Sequence, residues 1–314
     1  MPKWNRYALF GHPVGHSVSP RMFAAALEAL SGRDMYTAMD LESASDLRDA
    51  IDDLRSGALS GANVTLPYKQ TVLGLVDVVA ASALEVGAAN VLTVSDGRVI
   101  AHNTDVDALA AEIEALWVGQ DGRPRSRAAI LGGGGAALAA IAACRRLGFT
   151  LVCATSRSWS TSEAMYHSTS AERARALGVL TTLWPGTSDA PVTERSKASQ
   201  ALRLQWKDLV ADADCVIQAT SAGMLGGAPG EDVAAVVPWK RLPAHALIYD
   251  VVYNPAMTPF LAAAGQHGLR AEGGLGMLVR QAELALKMWT GNDAPDGVMR
   301  AAAEAALAAR GTEA

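Results

Sequence analysis

An apolar strand that runs straight into four glycines and then into an alanine-rich helix leaves a chain few choices. Here Ala128-Ala129-Ile130-Leu131 leads into Gly132-Gly133-Gly134-Gly135-Ala136, and an apolar helix is expected from Ala137 to Leu147. The spacing fits G-x-G-x-x-A. The first glycine permits a tight turn, and the second lets backbone approach a pyrophosphate, which rests at the positive end of the helix. Four glycines alone would be only a flexible turn. The strand before them and the helix after them make a dinucleotide site the better reading.

The next expected strand, Leu151 to Ala154, runs into Thr155-Ser156-Arg157-Ser158. A site selective for NAD commonly places an acid here, on the ribose hydroxyls. This chain has none. The planar fork of Arg157 suits a 2′-phosphate, and Ser156 and Ser158 add hydroxyls, which favours NADP over NAD. The competing reading is a solvated surface arginine. Further strands are expected at Cys215–Ala219 and Ala246–Val251. Strands alternating with helices imply a parallel sheet covered on both faces. Between Trp159 and Gln205 the pattern fades into Ser, Thr, Pro and charge, and part of that stretch reads as a surface insertion.

The first third of the chain repeats the alternation. Strands are expected at Tyr7–Phe10, Tyr36–Leu41 and Gly61–Leu66, the last stopped by Pro67. Ser19 is expected to cap a helix with Pro20 in its first turn, and a second helix spans Ala44 to Ser56. Ala89–Val94 and Arg98–Ala101 form a hairpin, since Asp96-Gly97 suits a tight turn. Two helices close the chain, over Gly276–Gly291 and Pro295–Ala309.

Polar side chains gather at the ends of these segments. Ser17 and Ser19 follow a glycine-containing turn, and Asn63 and Thr65 are likewise two apart, a spacing that points extended residues the same way. All four suit a polyol or a carboxylate. Lys69 follows Pro67, and Asp105 follows the hairpin. A lysine beside a carboxylate can move a proton to or from a carbonyl or hydroxyl. From spacing alone a surface lysine is the plainer reading.

Composition narrows the classes. The chain has 314 residues, a net charge of -5 and a sequence that is 50% hydrophobic, enough for two domains with cores of their own. A mild negative charge with no basic run or aromatic array argues against nucleic acid as partner. Cys144, Cys153 and Cys215 are far apart without metal-ligand spacing and read as reduced thiols. The histidines likewise lack a ligand set, so no metal is expected. No stretch has the apolar core of a signal peptide or the length of a membrane span, so a cytoplasmic protein without membrane contact is expected.

Taken in order, HSVSP (Ser17, Ser19), NVTLPYK (Asn63, Thr65, Lys69), GAAN (Asn90), NTD (Asp105), GGGGAA, SRS, ATSAGM, YDVVYNP and GLGMLVRQA with WTG resemble the shikimate dehydrogenase family over nearly the whole chain. The resemblance implies an α/β protein: an N-terminal α/β substrate domain at 1–106 completed by C-terminal helices at 275–314, a Rossmann-like NADP domain at 107–274 with the insertion within about 159–205, and a cleft between them. It implies reversible NADPH-dependent reduction of 3-dehydroshikimate to shikimate, in the pathway to chorismate and aromatic amino acids. Lys69 and Asp105 would be the catalytic pair. Ser17 and Ser19 would hold the substrate carboxylate, Asn63, Thr65, Asn90 and Gln281 its hydroxyls, and Tyr253 would close the pocket.

On the cofactor side, Gly132, Gly133, Gly134, Gly135 and Ala136 would take the pyrophosphate, and Ser156, Arg157 and Ser158 the 2′-phosphate. Thr220, Val251, Gly274 and Met277 would line the nicotinamide. Ser156 and Ser158 stand where NADP-specific members commonly have asparagine and threonine, which keeps NAD open as cofactor. Ala282 stands where many members have glycine. The alternatives are an NAD-dependent quinate/shikimate dehydrogenase, an aminoshikimate-type paralogue, and a non-catalytic ligand sensor. The family contains monomers and homodimers.

Overall fold

The computed structural model describes residues 4–30, 32–119, 122–186 and 205–311. The chain opens with β1 (Arg6–Gly11), α1 (Ser19–Leu30), β2 (Met35–Asp40), α2 (Ala44–Arg55), β3 (Gly61–Val64), β4 (Val78–Val79), α3 (Ala81–Val86), β5 (Val91–Ser95) and β6 (Arg98–His102). Then come α4 (Asp105–Trp117), β7 (Arg127–Leu131), α5 (Gly135–Arg146), β8 (Leu151–Thr155), α6 (Ser162–Tyr166), α7 (Thr169–Ala176) and β9 (Leu180–Thr182). A helix at 205–211 (α8) precedes β10 (Cys215–Gln218), α9 (Glu231–Ala234), β11 (Leu247–Asp250), α10 (Pro259–Gln266) and β12 (Arg270–Gly273). Helices α11 (Leu275–Thr290) and α12 (Val298–Gly311) end the described chain.

Two compact units result, Met1–Ala108 with Leu278–Ala314, and Leu109–Met277, and the boundary falls inside α4 and again inside α11. In the first unit a mixed six-stranded sheet has the order β2-β1-β3-β5-β6-β4. Helix α1 buries Met22, Phe23, Ala26 and Leu27, the three- and four-residue spacing of a single helical face. A capping box between Ser43 and Asp46 starts α2, which buries Leu47, Ala50, Ile51 and Leu54. Asp96 and Gly97 both take positive φ, 51° and 72°, so the β5–β6 hairpin turns over two residues in the twist that suits it. The ring of Trp289, from α11, stacks on Tyr7 with centroids 4.7 Å apart.

The second unit holds a parallel sheet ordered β12-β11-β10-β7-β8-β9. Helix α5 is buried almost all round, from Ala137 through Cys144, because alanines let it lie close to the sheet. All three cysteines are free and buried, and burial pushes the Cys144 and Cys153 thiols up to about 12.

The elements depart from expectation in instructive places. β3 stops at Val64 rather than Leu66, since the Thr65 carbonyl accepts the Tyr68 amide and the chain turns there. The stretch read partly as an insertion is regular as far as it is described: α6, α7 and β9 lie within it, and β9 extends the sheet beside β8. Residues 187–204 lie outside the described residues. No periodicity announced β12. It is an edge strand, paired on one side with alternating exposure, and needs no apolar run. Among the described residues no helix is long and apolar enough to cross a membrane.

Candidate active site

In the first unit the site is built where β3 and β6 end. After Val64, Tyr68 is buried and its hydroxyl donates to the Leu41 carbonyl at 2.6 Å. That anchor fixes the turn that carries Lys69. The Lys69 carbonyl accepts the Ala89 amide at 2.7 Å, so its backbone is held too.

Asp105 begins α4. Just before it, Asn103 accepts from the Val106 amide and donates to the Ala88 carbonyl, capping the helix. A carboxylate in this first turn lies at the positive end of the helix dipole. Lys69 Nζ donates to Asp105 Oδ2 at 2.6 Å, with 18% of the lysine and 4% of the aspartate side chain exposed. The other carboxylate oxygen, Oδ1, accepts from Asn90 Nδ2 at 2.9 Å.

Asn90 is the hub of this cluster. Its Nδ2 also approaches Thr104 Oγ1 at 2.9 Å and Gln281 Oε1 at 3.2 Å, and its Oδ1 accepts the Thr104 amide. Thr104 Oγ1 in turn donates to the Gln281 carbonyl at 3.1 Å. Asn63 joins from β3: its Nδ2 donates to the Asn90 carbonyl at 3.1 Å and its Oδ1 accepts the Tyr36 hydroxyl at 2.8 Å. Lys69, Asp105, Asn90, Gln281 and Asn63 therefore form one connected set. Thr104 and Tyr36 belong to it as well. Sequence reading passed over both, although Thr104 lies inside the NTD triplet that supplied Asp105.

The two serines are arranged differently from expectation. They do not lie on an extended chain. Ser19 is the first residue of α1, and Ser17 Oγ accepts the Ser19 amide at 3.2 Å, so the cap is Ser17 rather than Ser19. Arg310 of α12 donates to the carbonyls of both His16 and Ser17. Thr65 packs its methyl against Gly11, where any side chain would collide with it.

The second unit carries the glycine loop at the end of β7. Gly132 has φ of 140°, and a Cβ there would lie 2.7 Å from the Ala219 carbonyl oxygen, so only glycine fits. Gly134 caps α5 without a side chain, and no atom lies within 4 Å of where its Cβ would be. Open space over amide groups that no side chain has capped is what a pyrophosphate needs. Ser156 is buried at the end of β8 and bonds Ser158 across 3.0 Å. Gly274 lies so close to Val251 that a Cβ would strike its carbonyl. Asp250 holds the segment that leads to Tyr253, accepting from the Val252 amide at 2.9 Å and the Thr258 hydroxyl at 2.6 Å. Burial pushes the Asp250 carboxyl up to about 6. Thr220 Oγ1 accepts the Ala222 amide, and Met277 is buried.

Comparison with known proteins decides the family. Residues 9–92 match the shikimate dehydrogenase substrate binding domain, and residues 274–304 match the shikimate 5′-dehydrogenase C-terminal domain. The shikimate dehydrogenase (NADP(+)) of Symbiobacterium thermophilum is 37% identical over 302 residues, which are 95% of this chain and 93% of that one. The chain belongs to the shikimate dehydrogenase family. The Geobacter sulfurreducens shikimate dehydrogenase (NADP(+)) is 33% identical over 95% of this chain and 96% of its own. The fold is that of the Thermus thermophilus shikimate 5-dehydrogenase solved with NADP(H) and shikimate, which superposes with a TM-score of 0.72 at 31% identity, covering 96% of this chain and 100% of that one. Both matched shikimate dehydrogenase segments include residues of the cluster, Asn63, Lys69 and Asn90 in the first and Gln281 in the second.

Proposed function

We propose that this protein is an NADP-dependent shikimate dehydrogenase that reduces 3-dehydroshikimate to shikimate reversibly in the cytoplasm, as a monomer or a homodimer. The observation that carries the reading is the Lys69–Asp105 pair, a nearly buried carboxylate bonded to a lysine ammonium at 2.6 Å. Among the described residues one ammonium donor is engaged, with Asp105, and two are left for a ligand oxygen. When bound, the nicotinamide supplies the hydride. Lys69 Nζ gives a proton to the oxygen that becomes the 3-hydroxyl, and takes it back from that hydroxyl in the oxidation direction. Asp105 Oδ2 fixes the amine in place. Asn90 holds the other carboxylate oxygen, so its amide acts chiefly by positioning.

Around this pair, the Ser17 and Ser19 hydroxyls take the substrate carboxylate, and Asn63, Thr65 and Gln281 take its ring hydroxyls. Tyr253 closes on the carboxylate end. The Gly132–Ala136 backbone binds the pyrophosphate, with Ser156, Arg157 and Ser158 on the 2′-phosphate and Thr220, Val251, Gly274 and Met277 against the nicotinamide. The geometry of the glycine loop supports a dinucleotide, and the names of the relatives support NADP as that dinucleotide.

Initial rates of shikimate and quinate oxidation, each with NADP and with NAD, test the reading. Shikimate with NADP should dominate. A preference for quinate or NAD would move the protein to the quinate/shikimate branch, and no turnover with any pairing would reject the enzyme reading. Lys69→Ala should lower kcat by about a hundredfold or more while shikimate still binds. An unchanged kcat would reject the role of Lys69.

A further inference from the structure

Ser170 lies outside every segment that carries the shikimate dehydrogenase pattern, yet its hydroxyl reaches the glycine loop. A Cβ placed on Gly133 would lie 3.0 Å from Ser170 Oγ and 3.1 Å from Ser156 Oγ. One hydroxyl arrives from the end of β8 and the other from the first turn of α7. Each belongs to a pair: Ser156 with Ser158 at 3.0 Å, and Ser170 with Ser168 at 2.9 Å.

A count of protons and lone pairs shows what this cluster lacks. A hydroxyl has one proton and two acceptor positions. Ser168 Oγ accepts the Ala171 amide at 3.3 Å and the indole N–H of buried Trp159 at 3.0 Å. Its acceptor positions are filled, so its proton goes to Ser170. Ser170 Oγ then accepts from Ser168 and shares the Trp159 N–H at 3.3 Å. Its own proton has no acceptor among the described residues. The Ser156–Ser158 pair likewise spends one proton between its members and keeps one. Arg157, exposed between them in sequence, makes no ion pair among the described residues. Spare O–H donors therefore lie beside the glycine loop, and Arg157 stands between Ser156 and Ser158 in the chain. Ser170, with its acceptor positions filled by Ser168 and Trp159, is left only to donate, which suits a phosphate dianion that only accepts.

We propose that Ser170 is a specificity-determining residue of the cofactor site, donating its hydroxyl to the phosphate on the adenosine ribose alongside Ser156, Ser158 and Arg157. The inference rests on the reading of the glycine loop as an NADP site. It gives a binding role to α7, which lies within the stretch that sequence alone made an insertion.

Calorimetric titration with 2′,5′-ADP and with 5′-ADP tests it without turnover. The wild-type protein should prefer 2′,5′-ADP. Ser170→Ala should weaken 2′,5′-ADP roughly tenfold, as expected for a lost hydrogen bond to a charged group, and leave 5′-ADP within about twofold. Ser170→Thr, which keeps the hydroxyl, should retain the preference, and Ser170→Asp should abolish it by repulsion. Ser170→Ala and Ser170→Asp variants that keep the full preference would overturn the role of Ser170 and leave the NADP site intact. Equal weakening of both nucleotides by Ser170→Ala would also overturn it, as a structural effect. Wild-type protein that binds neither nucleotide would overturn the cofactor reading itself, and the proposal with it.

Discussion

The indole of Trp289 occupies the place that a side chain at Gly61 would need. A Cβ on Gly61 would lie 2.5 Å from the indole nitrogen, and that nitrogen is fixed by its hydrogen bond to the Leu92 carbonyl at 3.0 Å. The contact ties α11, which carries Gln281, to β3, which carries Asn63. Gly61→Ala should therefore destabilise the protein by about 1–3 kcal/mol through overpacking, since the ring stacked on Tyr7 has no free direction to move. Denaturant unfolding checks this, and an unchanged midpoint would show that the indole gives way.

Asn90→Asp replaces the amide that holds Asp105 Oδ1 with a second carboxylate at hydrogen-bond distance. Like charges so close disfavour ionisation, so the pair should hold a proton to higher pH. The acid limb of the kcat profile should move up by about one unit or more, with a lower kcat at neutral pH. A profile that keeps its acid limb in place would separate Asp105 from the rate.

Arg310→Ala removes the donor that α12 gives to the carbonyls of His16 and Ser17. Those carbonyls flank the serine proposed for the substrate carboxylate. The KM for shikimate should rise roughly fivefold, about 1 kcal/mol, while the KM for NADP stays put. Steady-state kinetics with each substrate varied in turn would show it, and Arg310→Lys should recover part of the loss.

Asp250 gives a pH dependence of known sign. Its folded-state pKa of about 6 stands above the ordinary 3.8, because burial outweighs the hydrogen bonds from Val252 and Thr258. Its contribution is therefore fully present below pH 4 and is lost as pH rises through 6, a change on the order of 3 kcal/mol. Asp250→Asn cannot ionise. The difference in unfolding free energy between variant and wild type should grow in the variant's favour from pH 4 to pH 7, and a constant difference would place the ionisation elsewhere.

Much of the site was legible because its signals are short-range. Asp96-Gly97 marks a hairpin through the positive φ that both residues must adopt. Gly132 marks a turn through its positive φ, which glycine adopts without strain. Lys69 and Asp105 follow strands that their own residues announce, but their pairing was carried by the family resemblance, since spacing alone made Lys69 a surface lysine. Where reading failed, the cause was a local turn that periodicity does not encode or a partner far along the chain. Ser17 rather than Ser19 became the cap because the chain bends before α1, and β3 ended early at Thr65. Thr104 looked like one polar residue among three until the Gln281 carbonyl, 177 positions away, gave it a partner.

The sequence by itself determined the strand–loop–helix of the glycine turn, the apolar faces of α1 and α2, and the order of motifs that marks the family. These follow from steric limits on single residues and from side-chain periodicity, which act over a few positions. Only the tertiary structure decided that Asn90 would join Asp105 to Gln281, which lies 191 residues beyond Asn90, and that Ser170 would meet Ser156 at Gly133. Hydrogen bonds between distant side chains need donor and acceptor within about 3 Å, and that precision comes from packed sheets and helices rather than from spacing along the chain.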